Sequence, residues 1–226
     1  MPEAPLPAPA VLRVLVIGQT PRRELEEQIA LAAPGLRIAM EGALDGMTRE
    51  EIARDAAPQG DADTLFTVLP SGETTTISKT VVTTRLAEKL RHGGPTLLCC
   101  TGSFQGLPQR ADLVQPSAVL NALAAALLPR GRLGVFLPLP EQLGPLGAKR
   151  AREGLETVLR ALRPLSDEAT VEAAAREMAA QKPDLVLLDC MSYTRADKER
   201  MARHLDCPIL LSIATAARAA ACLLPE

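Results

Sequence analysis

The sequence predicts an α/β protein in which parallel strands are wrapped by alanine- and leucine-rich helices. Three observations carry that expectation. Short apolar runs such as VLRVLVI (11–17) and LVLL (185–188) suit strands covered on both faces. Longer stretches with capping residues and helical spacing lie between such runs. The strand-turn-helix alternation recurs along most of the 226 residues.

In chain order, residues 11–17 form a strand that stops at Gly18. Pro21 then opens a helix with Glu24, Glu26 and Glu27 near its positive end. A short strand is expected at 36–40. Thr48 caps the next helix, and Glu51, three positions on, completes a capping box. Residues 64–69 (TLFTVL) are read as a parallel strand running into the turn Pro70-Ser71-Gly72, with the polar ETTTISK leading to a helix over 81–90. Gly93-Gly94 ends that helix, and Pro95 leads into the strand TLLCC. A second series follows: strands at 133–137, 185–188 and 208–211, and helices over 167–180 and 214–224. The Arg/Glu-rich stretch 149–160 is read as a solvated amphipathic face. The expected organisation is a loose extension (1–10), a first α/β lobe (11–95), a second (96–212) and a last helix (213–226) returning to the first lobe.

Composition narrows the function. Hydrophobic residues make up 47% and charged residues 23%, with a formal charge of −2. No polycationic surface for nucleic acid is implied. The aromatic set is Phe66, Phe104, Phe136 and Tyr193, too sparse for base stacking. No apolar run approaches the roughly 20 residues of a membrane-crossing helix. Five cysteines without a CxxC pair read as free thiols in a reducing, cytoplasmic setting. With two histidines in the chain, a tetrahedral metal site is hard to build, so neither metal nor cofactor is expected.

Ligands of open parallel sheets meet the C-terminal strand ends, which puts segments 18–22, 70–76, 100–103, 138–141 and 190–193 on one rim. Two thiol-bearing elbows stand out there: LLCCTGS, ending a strand at Cys100, and LVLLDCMSY, ending one at Cys190. Alternation turns Cys99 and Cys100 to opposite faces, leaving Cys99 for packing. Two thiols on opposite sides of a ligand could take a proton from one face of a carbon acid and return one to the other. Small cysteines also pack inert in strands, and the residues alone leave both readings open. Gln19, Thr20 and Arg22 of GQTPRRE offer polar contacts and a cation for an anionic ligand. Ser71 and Gly72 of PSGETTTIS could donate hydrogen bonds to a carboxylate. Asp189 could orient a donor or cap the next turn.

The ordered segments VIGQTPR, EGALDGMTREEI, DTLFTVLPSGE, LLCCTGSFQGL, GVFLPLPEQ and VLLDCMSYT resemble the AroM family, a bacterial group associated genetically with aromatic amino-acid biosynthesis. That family is similar to the aspartate/glutamate racemase superfamily, which includes cofactor-independent racemases, maleate isomerase and arylmalonate decarboxylase. The resemblance implies two pseudo-symmetric lobes with a cleft between them, and a homodimer. It also implies Cys100 and Cys190 as catalytic thiols. Thr101, Gly102, Ser103, Ser192 and Tyr193 would join Gln19, Thr20, Arg22, Ser71 and Gly72 in binding a small carboxylate or dicarboxylate. The racemase motifs read Cys-Asn-Thr and Gly-Cys-Thr, whereas this chain has Gly102 and Met191 in altered positions and Asp189 for the second leading glycine. The early acidic residue of the racemases is absent from Gly18-Gln19-Thr20, and Gln19 cannot act as a carboxylate base. The expected function is cysteine acid/base chemistry in a racemase, isomerase or decarboxylase. The alternative is a metabolite-binding or regulatory protein that keeps the cleft without turnover.

Overall fold

The computed structural model describes residues 11–144 and 153–225. The expected extension at 1–10 lies outside them. Strand β1 (Leu12–Val16) is buried almost throughout, as its even run of Leu and Val requires. Helix α1 (Arg23–Ala32) has Glu24 and Glu26 in its first turn and buries Leu25 and Ile29, one turn apart. Strand β2 (Ile38–Gly42) returns beside β1. Helix α2 (Arg49–Asp55) starts on the expected capping box: Thr48 accepts from the Glu51 amide and Glu51 from the Thr48 amide. Thr48→Ala is expected to lower stability by about 1 kcal/mol. An unchanged denaturant midpoint would show that the box carries no weight.

The following segment departs from the sequence reading. Strand β3 (Thr64–Val68) does not join the parallel sheet but pairs antiparallel with β4 (Thr74–Ser78) in a separate ribbon. The turn dictates this. Gly72 takes φ +87°, its amide donates to Leu69 O, and the Leu69 amide donates to Glu73 O, so the chain reverses at once. The threonines read as a polar loop are β-branched and fill the returning strand.

Helix α3 (Lys79–Lys89) leaves the ribbon with Ser78 as its cap. Strands β5 (Thr96–Cys99) and β6 (Leu113–Val114) then complete a parallel sheet in the order β2-β1-β5-β6. The division expected between residues 95 and 96 therefore falls inside this first sheet, because β5 pairs with β1 from Arg13–Thr96 to Val16–Cys99.

Helix α4 (Pro116–Leu127) crosses to a second parallel sheet. It contains β7 (Gly131–Leu137), β8 (Leu155–Ala161), β9 (Leu185–Leu188) and β10 (Ile209–Leu211), ordered β10-β9-β7-β8. Here too the sequence reading is corrected. Residues 155–161 are not a solvated helical face but an edge strand paired along the whole of β7. The half-buried edge position lets Glu156 and Arg160 coexist with strand structure, which hid the strand from periodicity. Residues 149–152 of that stretch lie outside the described residues. Helices α5 (Glu168–Ala179), α6 (Arg195–Met201) and α7 (Ser212–Ala221) alternate with the later strands.

The two sheets follow one path. In each, the first strand lies inside, the second adds on one side, the third on the other and the fourth beyond the third. The molecule is thus a pair of pseudo-symmetric α/β lobes, with the ribbon inserted in the first. Leu12, Val14 and Val16 from one sheet share a core with Phe136, Val186 and Leu188 from the other, closed by α1, α5 and α7. Small residues let the layers approach: a Cβ at Gly134 would stand 2.7 Å from Met178 Sδ of α5. The last helix, α7, packs on α1, α4 and β5. No described helix is long and apolar enough to cross a membrane.

Candidate active site

In each sheet the chain leaves the first strand for one side and later returns to the other. The crevice between the C-terminal ends of those two strands is where a ligand finds room. In the first sheet it lies between Ile17 and Cys99–Cys100, in the second between Pro138 and Asp189–Cys190. All of these line one cavity of about 260 Å³. The two elbows touch, since the Thr101 hydroxyl donates to Asp189 O at 3.1 Å. The ribbon covers the cavity with Leu65, Phe66 and Thr67. Gly18 permits that approach, because a Cβ there would stand 2.3 Å from Thr67 Oγ1. Gln142, in the turn after β7, fastens the cover by donating to Thr64 O at 3.2 Å.

Of the residues singled out from sequence, Arg22, Cys100, Thr101, Gly102, Ser103, Asp189, Cys190 and Ser192 line the cavity. Arg22 is 3% exposed. Its guanidinium donates to Thr67 Oγ1 at 3.4 Å and Ser192 Oγ at 3.2 Å, and pairs with Glu24, tying three elements together. Cys100 Sγ accepts the Gly102 amide at 3.3 Å. A hydrogen bond donated to sulfur favours negative charge on it.

The other five do not line the cavity. Gln19 turns away and donates to Leu44 O and Met47 O. The Thr20 amide and hydroxyl are taken up by Asp45, which serves this loop. Ser71 and Gly72 are exposed at the ribbon's tip, because the ribbon presents strand β3 to the cavity and not its turn. Tyr193 is 1% exposed and its hydroxyl donates to Leu162 O, which makes it a core residue.

Sequence reasoning passed over Thr67, Lys79, Gln142 and Asp61, all in the lining. Thr67 could have been noticed as the polar interruption in TLFTVL. Lys79 could have been noticed as a cation opening a helix. Cys99, expected only to pack, also reaches the cavity. Alternation does hold, with Cys99 in the shared core and Cys100 in the core under α2 and α3, but the cavity wraps the strand end and meets both.

Burial pushes the Cys190 thiol up to about 12, opposed by hydrogen bonds from Ser192 and reinforced by the nearness of Cys100. Burial raises Cys99 as well, opposed by Arg22. Tyr193 is held well above its ordinary value by the same cause. Each group holds its proton more tightly when folded. Their stabilisation is therefore complete below the ordinary thiol value of 9.0 and is lost as pH climbs through the raised values. The denaturant midpoint should fall between about pH 9 and about pH 11, less steeply in Cys190→Ala. A flat profile over that range would contradict the burial of these protons.

The family model described as AroM protein matches residues 12–224. No curated protein sequence matches the chain. Among solved structures, a glutamate racemase from Bacillus anthracis superposes with a TM-score of 0.59 at 13% identity, covering 93% of this chain and 79% of that one. Unliganded arylmalonate decarboxylase gives 0.54 at 16%, covering 94% and 91%. A maleate cis-trans isomerase variant from Nocardia farcinica, solved with a covalently bound succinylcysteine intermediate, gives 0.53 at 17%, covering 94% and 92%. At these identities the likeness is one of fold.

Proposed function

From the premise that the chain belongs to the AroM family, we propose that it is an enzyme performing thiol acid–base chemistry on a small carboxylate, with Cys100 as base and Cys190 as acid. The observation that carries this reading is the pair of thiols at equivalent strand ends of two like-wound sheets, lining one cavity. The two thiols have like environments, each 8% exposed and each accepting a hydrogen bond, Cys100 Sγ from the Gly102 amide and Cys190 from Ser192. The base is assigned to Cys100, and the acid to Cys190, whose proton burial holds. Arg22, with Thr67 and Ser192 beside it, supplies positive charge for the carboxylate, and Thr101 and Ser103 add hydroxyls.

The Cys100 thiolate would take the proton from the carbon next to the carboxylate. The C–H electron pair enters an enediolate, whose charge the Arg22 side stabilises. Cys190 then delivers its proton to the opposite face, which inverts the centre. Where the carbon carries a second carboxylate, the C–C pair flows the same way as carbon dioxide leaves, and one thiol suffices as donor. The test is deuterium uptake next to the carboxylate, followed by NMR in heavy water over a panel of α-substituted carboxylates. Uptake by the wild-type chain is expected for at least one member.

A second reading, a binding or regulatory protein, is favoured by Gln19: it stands where racemases carry an acid and is spent on Leu44 and Met47. Saturable carboxylate binding with no uptake across the panel would decide for it.

A further inference from the structure

Lys79 opens helix α3, and three features of its position disagree with an ordinary surface lysine. It occupies the first turn, where the helix field opposes a cation, and no acid lies in that turn. Among the described residues its ammonium has no ion pair. It lines the cavity and is half-buried. Its described partner is the Phe104 ring, with Nζ 6.0 Å from the centroid, the outer limit of a cation–π contact. Asp63 covers the helix end by accepting from the Thr80 amide and hydroxyl, so the Lys79 side chain is not what caps α3. Asp61 is the exposed acid of the lining on this side. A local choice that conflicts with the element carrying it marks a position held for another purpose.

Lys79 also stands apart from Arg22. A Cβ at Gly102 would meet the Phe104 ring at 3.2 Å and Cys100 Sγ at 3.4 Å, so Lys79, over Phe104, approaches from the Cys100 side. Arg22 approaches from the Cys190 loop through Ser192. The cavity is thus reached by two cations from different elements, Lys79 by way of Phe104 and Arg22 by way of Thr67 and Ser192.

We propose that Lys79 is the second anion-binding pole of the cavity and that the ligand is a dianion, with one carboxylate held on the Arg22 side and a second anionic group on Lys79. This rests on the reading of the cavity as a carboxylate site. The apolar wall of Leu25, Leu65, Phe66 and Met191 leaves room between the poles for a hydrocarbon substituent. Lys79 opens the helix that directly follows the ribbon, so selectivity for charge and closure of the cavity come from adjoining pieces of chain.

The test uses two pairs of probes differing by one carboxylate: succinate against butyrate, and phenylmalonate against phenylacetate. Affinities are measured by calorimetry for the wild-type chain, Lys79→Met and Lys79→Arg. The wild-type chain should prefer the dianion of a pair by about tenfold or more, as a charged hydrogen-bond partner implies. Lys79→Met should lose that preference while holding the monoanion within about twofold, and Lys79→Arg should keep it. The melting temperature of unliganded Lys79→Met should not fall, because removing a cation from a helix start favours the helix. A dianion preference that survives Lys79→Met, or no preference in the wild-type chain, overturns the proposal while leaving the carboxylate site standing. If none of the four probes binds the wild-type chain, the carboxylate reading itself falls, and the proposal with it.

Discussion

Cys100→Ser should lower deuterium uptake next to the substrate carboxylate by about two to four powers of ten, the usual weight of a positioned general base. Serine keeps the size of the side chain but cannot carry negative charge near neutral pH, so the Gly102 amide would face a neutral hydroxyl. Cys190→Ser should behave differently. If Cys190 gives the proton to the far face, its loss should abolish inversion while Cys100 continues to exchange the near-face proton with solvent. Chiral analysis of the recovered substrate separates the two: both activities vanish in Cys100→Ser, and only inversion vanishes in Cys190→Ser. Equal losses of both activities in the two variants would refute the assignment of roles. Retention of both would reduce the thiols to packing.

Phe136→Ala should destabilise the fold by about 3–5 kcal/mol, a large part of the 5–15 kcal/mol typical of a domain. Phe136 is fully buried in the core that both sheets share. Its carbonyl accepts the Asp189 amide at 2.9 Å, which fixes the start of the Cys190 elbow. Cys190 and Met191 of that elbow belong to the same core, so loss of the ring loosens packing that the elbow shares. The denaturant midpoint should drop sharply, and at temperatures where the variant stays folded, ligand affinity should drop with it. A loss below about 1 kcal/mol would mean that the lobes are not held by this core.

Much of this architecture is legible in the sequence because buried parallel strands are short and apolar. Residues 11–17 and 185–188 could hardly be anything else, and Thr48 with Glu51 announces α2. The ribbon was not legible. TLFTVL looks like a parallel strand, and the tight return through Gly72 decides its pairing. β8 was hidden by its edge position, where Glu156 and Arg160 mimic a helical surface. The same division holds for the site. Cys100 and Cys190 announced themselves by following apolar strands, and Arg22 by following a strand and turn. Thr67 and Lys79 reach the cavity through the ribbon and the helix behind it, so no local pattern could place them there. Conversely, Gln19, Thr20 and Tyr193 sit in the right segments but point to backbone or to Asp45, a choice made by tertiary packing.

A crystal structure with phenylmalonate bound tests the central claim most directly. The account predicts a carboxylate beside Arg22 and Ser192, and Cys100 Sγ and Cys190 Sγ on opposite faces of one carbon, each within about 3–4 Å of it. Either sulfur turned into the core of its lobe, or both on the same side of the ligand, would contradict it.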